Sequence, residues 1–120
     1  SLLTDPDFAN KCADGHCCNV RTCMMCNKGC TDNIQNRAFL SCVLNAENGY
    51  EATRHITPAA SSKKIAIIGA GIAGLEAARV AALRGHSVTI FEKSLQIGGQ
   101  LLIASVPPRK EEMMRSIQAR

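Results

Sequence analysis

The apolar positions of the chain fall into two regimes that meet near Ser61. Between residues 64 and 106, Ala, Ile, Leu, Val and Gly dominate. There, Ile65, Ala66, Ile67 and Ile68 form an unbroken apolar run ending at Gly69, the pattern of a strand buried on both faces. The stretch IAGLEAARVAALRG follows. It is Ala-rich, sets Leu75, Ala78, Ala82 and Leu83 at helical spacing, and reaches Gly85 where a helix should stop. HSVTIFE then reads as a second buried strand built around Val88, Ile90 and Phe91. Strand, helix and strand within about thirty residues predict a βαβ unit, right-handed and parallel. Past Pro107 and Pro108, RKEEMMRSIQAR predicts another helix, with Glu111 and Glu112 early, where the dipole favours acid.

Residues 1–60 are polar, cysteine-rich and weakly periodic. Asp5-Pro6 is a turn signal, with a short helix expected from Pro6 on. NRAFLSCVLN predicts a short helix or strand carrying Cys42, and the rest reads as loop. Large apolar side chains are too few for a core, so a metal or a neighbouring domain must hold this region. The join, TPAASSKK, reads as a linker.

Composition narrows the function classes. Fourteen basic and ten acidic residues leave a net charge of +4 without a block of like charge. The aromatics are Phe8, Phe39, Tyr50 and Phe91, too few for a base-stacking platform, so nucleic acid is not an expected partner. No apolar run approaches the roughly eighteen residues that span a membrane. No signal peptide opens the chain, and a cytoplasmic location is expected. The chain begins at Ser1 and ends at Arg120 within a predicted helix, so it is expected to be a piece of a longer polypeptide.

GAGIAG places Gly69, Gly71 and Gly74 in a G-x-G-x-x-G pattern between the predicted strand and helix, the context that gives the pattern meaning. Gly69 permits the tight turn, Gly71 a close approach to a pyrophosphate, and Gly74 close helix–strand packing. Ala70, Ile72 and Ala73 complete the loop, whose helix N-terminus offers free N–H groups to phosphates. Glu92 ends the second strand, 18 residues after Gly74, near the distance expected of a ribose-binding carboxylate. A second pair, Gly98 and Gly99, predicts either another close approach to a ligand or a plain turn.

Seven cysteines occur. Cys23, Cys26, Cys30 and Cys42 have the spacing C-x2-C-x3-C-x11-C. An odd count and the expected compartment argue against disulfides. Zinc more often takes paired C-x2-C units, whereas iron–sulfur clusters are held by four thiolates, often three on one compact loop. The spacing leans towards iron and sulfur and leaves zinc and unliganded thiols open. Cys12, Cys17 and Cys18 read as free thiols, and His16, His55 and His86 as surface residues.

The order of these motifs resembles the iron–sulfur flavoenzyme family that includes bacterial 2,4-dienoyl-CoA reductase, 2-enoate reductase and trimethylamine dehydrogenase. LLTDPDFANK is similar to the segment leaving that family's (β/α)8 barrel. RTCMMCNKGC with SCVLNAENGYE resembles its cluster loop, and the stretch from KKIAIIGAGIAG through IGGQLLIASVPPRKEE its flavin-domain start. Cys17 and Cys18 stand where the family usually has polar residues.

The resemblance implies an α/β architecture in four parts. Residues 1–20 would leave a barrel, 21–52 would bind a [4Fe–4S] cluster, 53–63 would link, and 64–120 would begin a Rossmann-like FAD-binding domain. Cys23, Cys26, Cys30 and Cys42 would be the cluster ligands. Gly69, Gly71 and Gly74 would hold the FAD pyrophosphate and Glu92 the adenosine ribose. Lys93 would lie beside the adenosine, and Gly99, Gln100 and Leu101 along the FAD. In such enzymes NAD(P)H reduces FAD, and electrons pass through the cluster to an FMN that reduces an activated C=C bond in an enoyl or enoate substrate. The FMN barrel would precede Ser1, and the nicotinamide domain would follow Arg120. The 120 residues alone would then be inactive and bind FAD weakly. The alternatives are a non-catalytic electron-transfer or ADP/FAD-binding module, a zinc-stabilised segment, or an amine dehydrogenase of the same family.

Overall fold

The structure, a computed structural model, describes residues 1–111 and 113–115. They form two compact units, Ser1–His55 and the remainder from Ile56. The first contains α1 (Phe8–Ala13), a 3-10 turn (Cys17–Asn19), α2 (Thr31–Gln35) and α3 (Glu51–Arg54). The second contains β1 (Lys64–Ile68), α4 (Ile72–Leu83), β2 (Ser87–Phe91) and α5 (Gln100–Ala104).

The second unit is the expected βαβ fold. β1 and β2 pair in parallel, from Lys64 opposite Ser87 to Ile68 opposite Phe91. α4 makes the crossover, burying Leu75 and Ala78. It ends as its sequence predicts: Gly85 takes φ +88°, and the N–H groups of Gly85 and His86 return to the carbonyls of Ala82 and Ala81. Ala70 and Leu75 form a small core, with Leu101 and Met114 packed against it. Of the helix expected over 109–120, residues 113–115 are helical, while Glu112 and residues 116–120 lie outside the described residues.

Both strands differ from the expectation in one respect: they are not buried on two faces. Ile65 and Ile67 are half-buried, whereas Ala66 and Ile68 are exposed, Ile68 at 90%. Ile90 and Phe91 are exposed too. The cause is layer count. An apolar run reads as doubly buried because parallel sheets normally carry helices on both faces, and among the described residues α4 is the helix that packs extensively on this sheet.

The first unit is built on polar contacts. Its most buried residues are Thr4 and Asp5, and Leu44 is its only buried large apolar side chain among the described residues. One Asp5 oxygen accepts the Lys11 ammonium and the Arg21 N–H, each at 2.8 Å, and the other accepts the Asp7 N–H at 3.2 Å. Arg21 reaches on to the Leu44 carbonyl at 2.8 Å. Asn45 Nδ2 donates to the Leu3 carbonyl, and its Oδ1 accepts the Glu47 N–H. NRAFLSCVLN forms neither the helix nor the strand expected of it. It is loop with one isolated bridge, Cys42 to Asn45. Its backbone groups are engaged elsewhere: Phe39 and Leu40 carbonyls accept Asn33 and Asn48 side chains, and the Ser41 N–H goes to Gly29.

Two outcomes follow from this packing. A Cβ at Gly74 would run into the Gly69 carbonyl oxygen, so Gly74→Ala should cost about 1–3 kcal/mol in urea unfolding. Burial opposes the charge on Asp5, but the Arg21 N–H and the Lys11 ammonium outweigh it and hold its pKa below the ordinary carboxyl value. A depressed folded pKa gives stability that is full above the unfolded value of about 3.9 and is lost as pH falls through the folded one. Asp5→Ala should therefore cost about 1–3 kcal/mol at neutral pH, and less in acid, measured by urea unfolding across pH.

Candidate functional site

Two places gather the residues singled out by sequence, one in each unit. In the first, the chain from Cys23 to Cys30 makes a tight loop that leads into α2. Met25 and Asn27, on either side of Cys26, take φ of +52° and +58°. That left-handed conformation is uncommon for residues other than glycine and costs energy, and it turns the loop on itself. The Cys23 thiol accepts the Met25 N–H at 3.4 Å, and the Asn27 carbonyl accepts the Asp32 N–H at 3.0 Å.

Cys42 arrives from a separate segment. The Ser41 N–H bonds the Gly29 carbonyl at 2.7 Å. Gly29 has no room for a Cβ, because Ser41 oxygen atoms lie 2.6 and 2.7 Å from where it would stand. This backbone contact lays Cys42 beside the loop, with the Thr4 hydroxyl 3.7 Å from its sulfur. Cys23, Cys26, Cys30 and Cys42 then line a single recess whose floor includes Val43 and Leu44. All seven cysteines are free thiols, and Cys12, Cys17 and Cys18 do not line this recess. Among the described residues no three His, Cys, Asp or Glu side chains close around a point where one metal ion would sit.

In the second unit the glycine loop is held from behind. Gly69 takes φ +98° and its N–H bonds the Phe91 carbonyl at 2.7 Å, joining the loop to the end of β2. Glu92 adds a second tie. Its Oε2 accepts the Ala70 N–H at 2.6 Å and its Oε1 the Ser94 N–H at 2.8 Å. Those backbone donors, Ser94 first and Ala70 next, hold its pKa below the ordinary carboxyl value, so it is ionised at neutral pH. The Ser94 hydroxyl and the Lys93 N–H add to the same effect.

Gly98 and Gly99 prove to dock on the first loop. Gly98 forms a parallel bridge with Gly71, and its N–H bonds the Ala70 carbonyl at 2.8 Å. A Cβ on Gly99 would stand 3.2 Å from the Gly71 Cα. The close approach is thus to backbone. Sequence spacing carried no signal for this pairing, because the two glycine pairs lie far apart along the chain.

Of the predicted nucleotide contacts, Gly71, Ile72, Ala73, Gly99, Gln100 and Leu101 line one open cleft. Lys93 lines an adjoining groove with Gly99 and Gln100. Gly69, Ala70, Gly74 and Glu92 do not line the cleft. The histidines lie outside both recess and cleft. Asp5 and Arg21 support the cysteine loop without lining its recess. The only sequence signal was the Asp5-Pro6 turn.

Known proteins match both units. The profile of the NAD(P)-binding Rossmann-like domain matches residues 67–113. Bilirubin reductase of Mediterraneibacter gnavus is 63% identical over 118 residues, covering 98% of this chain and 18% of that protein. Metal reductase of Desulforamulus reducens is 50% identical over 114 residues, covering 95% and 17%. The solved complex of 2-naphthoyl-CoA reductase with 2-naphthoyl-CoA superposes with a TM-score of 0.93 at 37% identity, covering 98% of this chain and 18% of that one. The chain therefore spans less than a fifth of the length of these relatives.

Glu92→Gln removes the ionised acceptor while keeping the side-chain length. The amide protons of Ala70 and Ser94 should then exchange faster at a fixed neutral pH, measured by hydrogen exchange, with those inside α4 unchanged.

Proposed function

The chain belongs to the iron–sulfur flavoenzyme family of 2,4-dienoyl-CoA reductase, 2-enoate reductase and trimethylamine dehydrogenase, and we propose that it is the relay segment of such a reductase. When bound, FAD and a [4Fe–4S] cluster supply two-electron and one-electron redox chemistry that connects NAD(P)H to an FMN reducing an activated C=C bond. Cys23, Cys26, Cys30 and Cys42 would hold the cluster. Gly71, Ile72 and Ala73 would present backbone N–H groups and a helix N-terminus to the FAD pyrophosphate. Glu92 would accept a ribose hydroxyl, Lys93 would lie beside the adenosine, and Gly99, Gln100 and Leu101 would run along the FAD. The glycine loop recognises the pyrophosphate common to FAD and NAD(P), so the choice of FAD rests on the family.

The observation that carries this reading is the disposition of the four thiols. They come from two segments and share one recess. Three of them lie on one compact loop, the arrangement that iron–sulfur clusters often use, whereas zinc more often takes paired C-x2-C units. An all-thiolate donor set with an apolar floor fits the cluster.

Substrate choice would lie outside these residues. Relatives named for bilirubin, for metal and for 2-naphthoyl-CoA each match 95% or more of this chain. Specificity would then belong to the rest of the enzyme, and this segment to the supply of electrons.

Anaerobic purification tests the proposal. The expected product contains iron and inorganic sulfide in equal amounts and shows a broad visible absorption that bleaches on reduction. Cys26→Ser or Cys42→Ser should abolish it, while Cys18→Ser, outside the recess, should retain it. A colourless, zinc-containing product would sink the assignment.

A further inference from the structure

Thr4 is among the most buried residues of the chain, 1% exposed, and it lines the cysteine recess. Its hydroxyl lies 3.7 Å from the Cys42 sulfur, 38 positions along the chain. Among the described residues that sulfur is the hydrogen-bond partner of the hydroxyl. Burying a hydroxyl costs free energy unless a partner offsets the lost water. A neutral thiol is a weak donor and a weak acceptor, and offsets little. A thiolate only accepts, and a hydrogen bond to a charged group is roughly twice as strong as a neutral one.

The hydroxyl is held in place from both sides. The Leu3 carbonyl accepts Asn45 Nδ2 at 3.0 Å, and the Asn45 N–H returns to the Cys42 carbonyl at 3.1 Å. The Asp5 carboxylate accepts the Arg21 N–H at 2.8 Å, two residues before Cys23. The Thr4 and Asp5 N–H groups both bond the Ser1 carbonyl at 3.1 Å. Thr4 thus stands between two neighbours, each tied to one of the segments that carry the thiols.

We propose that the Thr4 hydroxyl donates a hydrogen bond to the Cys42 thiolate, as a positioning residue that raises the reduction potential of a cluster held in the recess. This rests on the cluster reading given above. An ionised Cys42 has no proton to give, so the donor is Thr4. Reduction makes the site more negative. A donated hydrogen bond stabilises the more negative state more, and so favours reduction. The other thiols have different surroundings. Cys23 accepts the backbone N–H of Met25 at 3.4 Å. Cys30 lies 3.8 Å from the Thr31 hydroxyl, but Thr31 is exposed, and water competes there for the same sulfur. Thr4 combines a side-chain donor with shielding from water.

The full chain, purified anaerobically with its cluster, provides the test. Reductive titration, followed by visible absorption and electron paramagnetic resonance, reads the potential. Thr4→Val keeps the shape and removes the donor. It should lower the equilibrium constant for one-electron reduction about tenfold, or about 59 mV. Thr4→Ala, a second variant without the hydroxyl, should shift it in the same direction. Thr4→Ser and Thr31→Val should stay near the wild-type value. An unchanged potential in cluster-loaded Thr4→Val, or an equal shift in Thr31→Val, would overturn the proposal. So would loss of iron from both Thr4→Val and Thr4→Ser, since side-chain shape and not the hydroxyl would then be what the site requires. Wild-type protein without iron and sulfide would instead remove the cluster reading itself, and this inference with it.

Discussion

The carboxylate of Asp5 stands at the centre of the first unit. With hardly any apolar side chain buried there, hydrophobic burial contributes little to holding the loops in place. An ionised acceptor taking backbone N–H groups and an ammonium supplies what the core lacks, since charge-assisted hydrogen bonds are stronger than neutral ones. Through the Arg21 N–H it anchors the entry to the cysteine loop, and through Lys11 it anchors α1. Removing it would leave buried donors unpaired, the costly outcome.

Glu92 plays the corresponding part in the second unit. It ends β2 and accepts from Ala70 in the glycine loop and from Ser94 just beyond itself. The loop is thus shaped from behind by a carboxylate and from the side by Gly98 and Gly99, which dock backbone to backbone on Ala70 and Gly71. A Cβ at Gly99 would crowd the Gly71 Cα at 3.2 Å, so the cleft between α4 and α5 depends on a missing side chain there.

The bare sheet face bears on the same point. Ile68 and Phe91 are apolar yet exposed because one layer of helix covers a sheet whose composition suits two. The relatives are more than five times longer than this chain. Proteins named for unlike substrates nonetheless match nearly the whole of this chain.

The βαβ unit was legible in the sequence because each element there is specified locally: an apolar run for β1, an Ala-rich helical period closed by Gly85 for α4, and glycines where backbone must pass closely. The cysteine spacing likewise marked four residues for one site. What the sequence could not state was how NRAFLSCVLN runs, since its backbone is satisfied by the Asn33 and Asn48 side chains and the Gly29 carbonyl, outside any regular helix or strand pairing. It also hid the Asp5 hub and the Gly71–Gly98 pairing. Local patterns decide elements, because propensity and periodicity act over a few residues. Only the tertiary structure decides which loops touch, because those contacts are hydrogen bonds and steric fits between segments that no spacing rule connects.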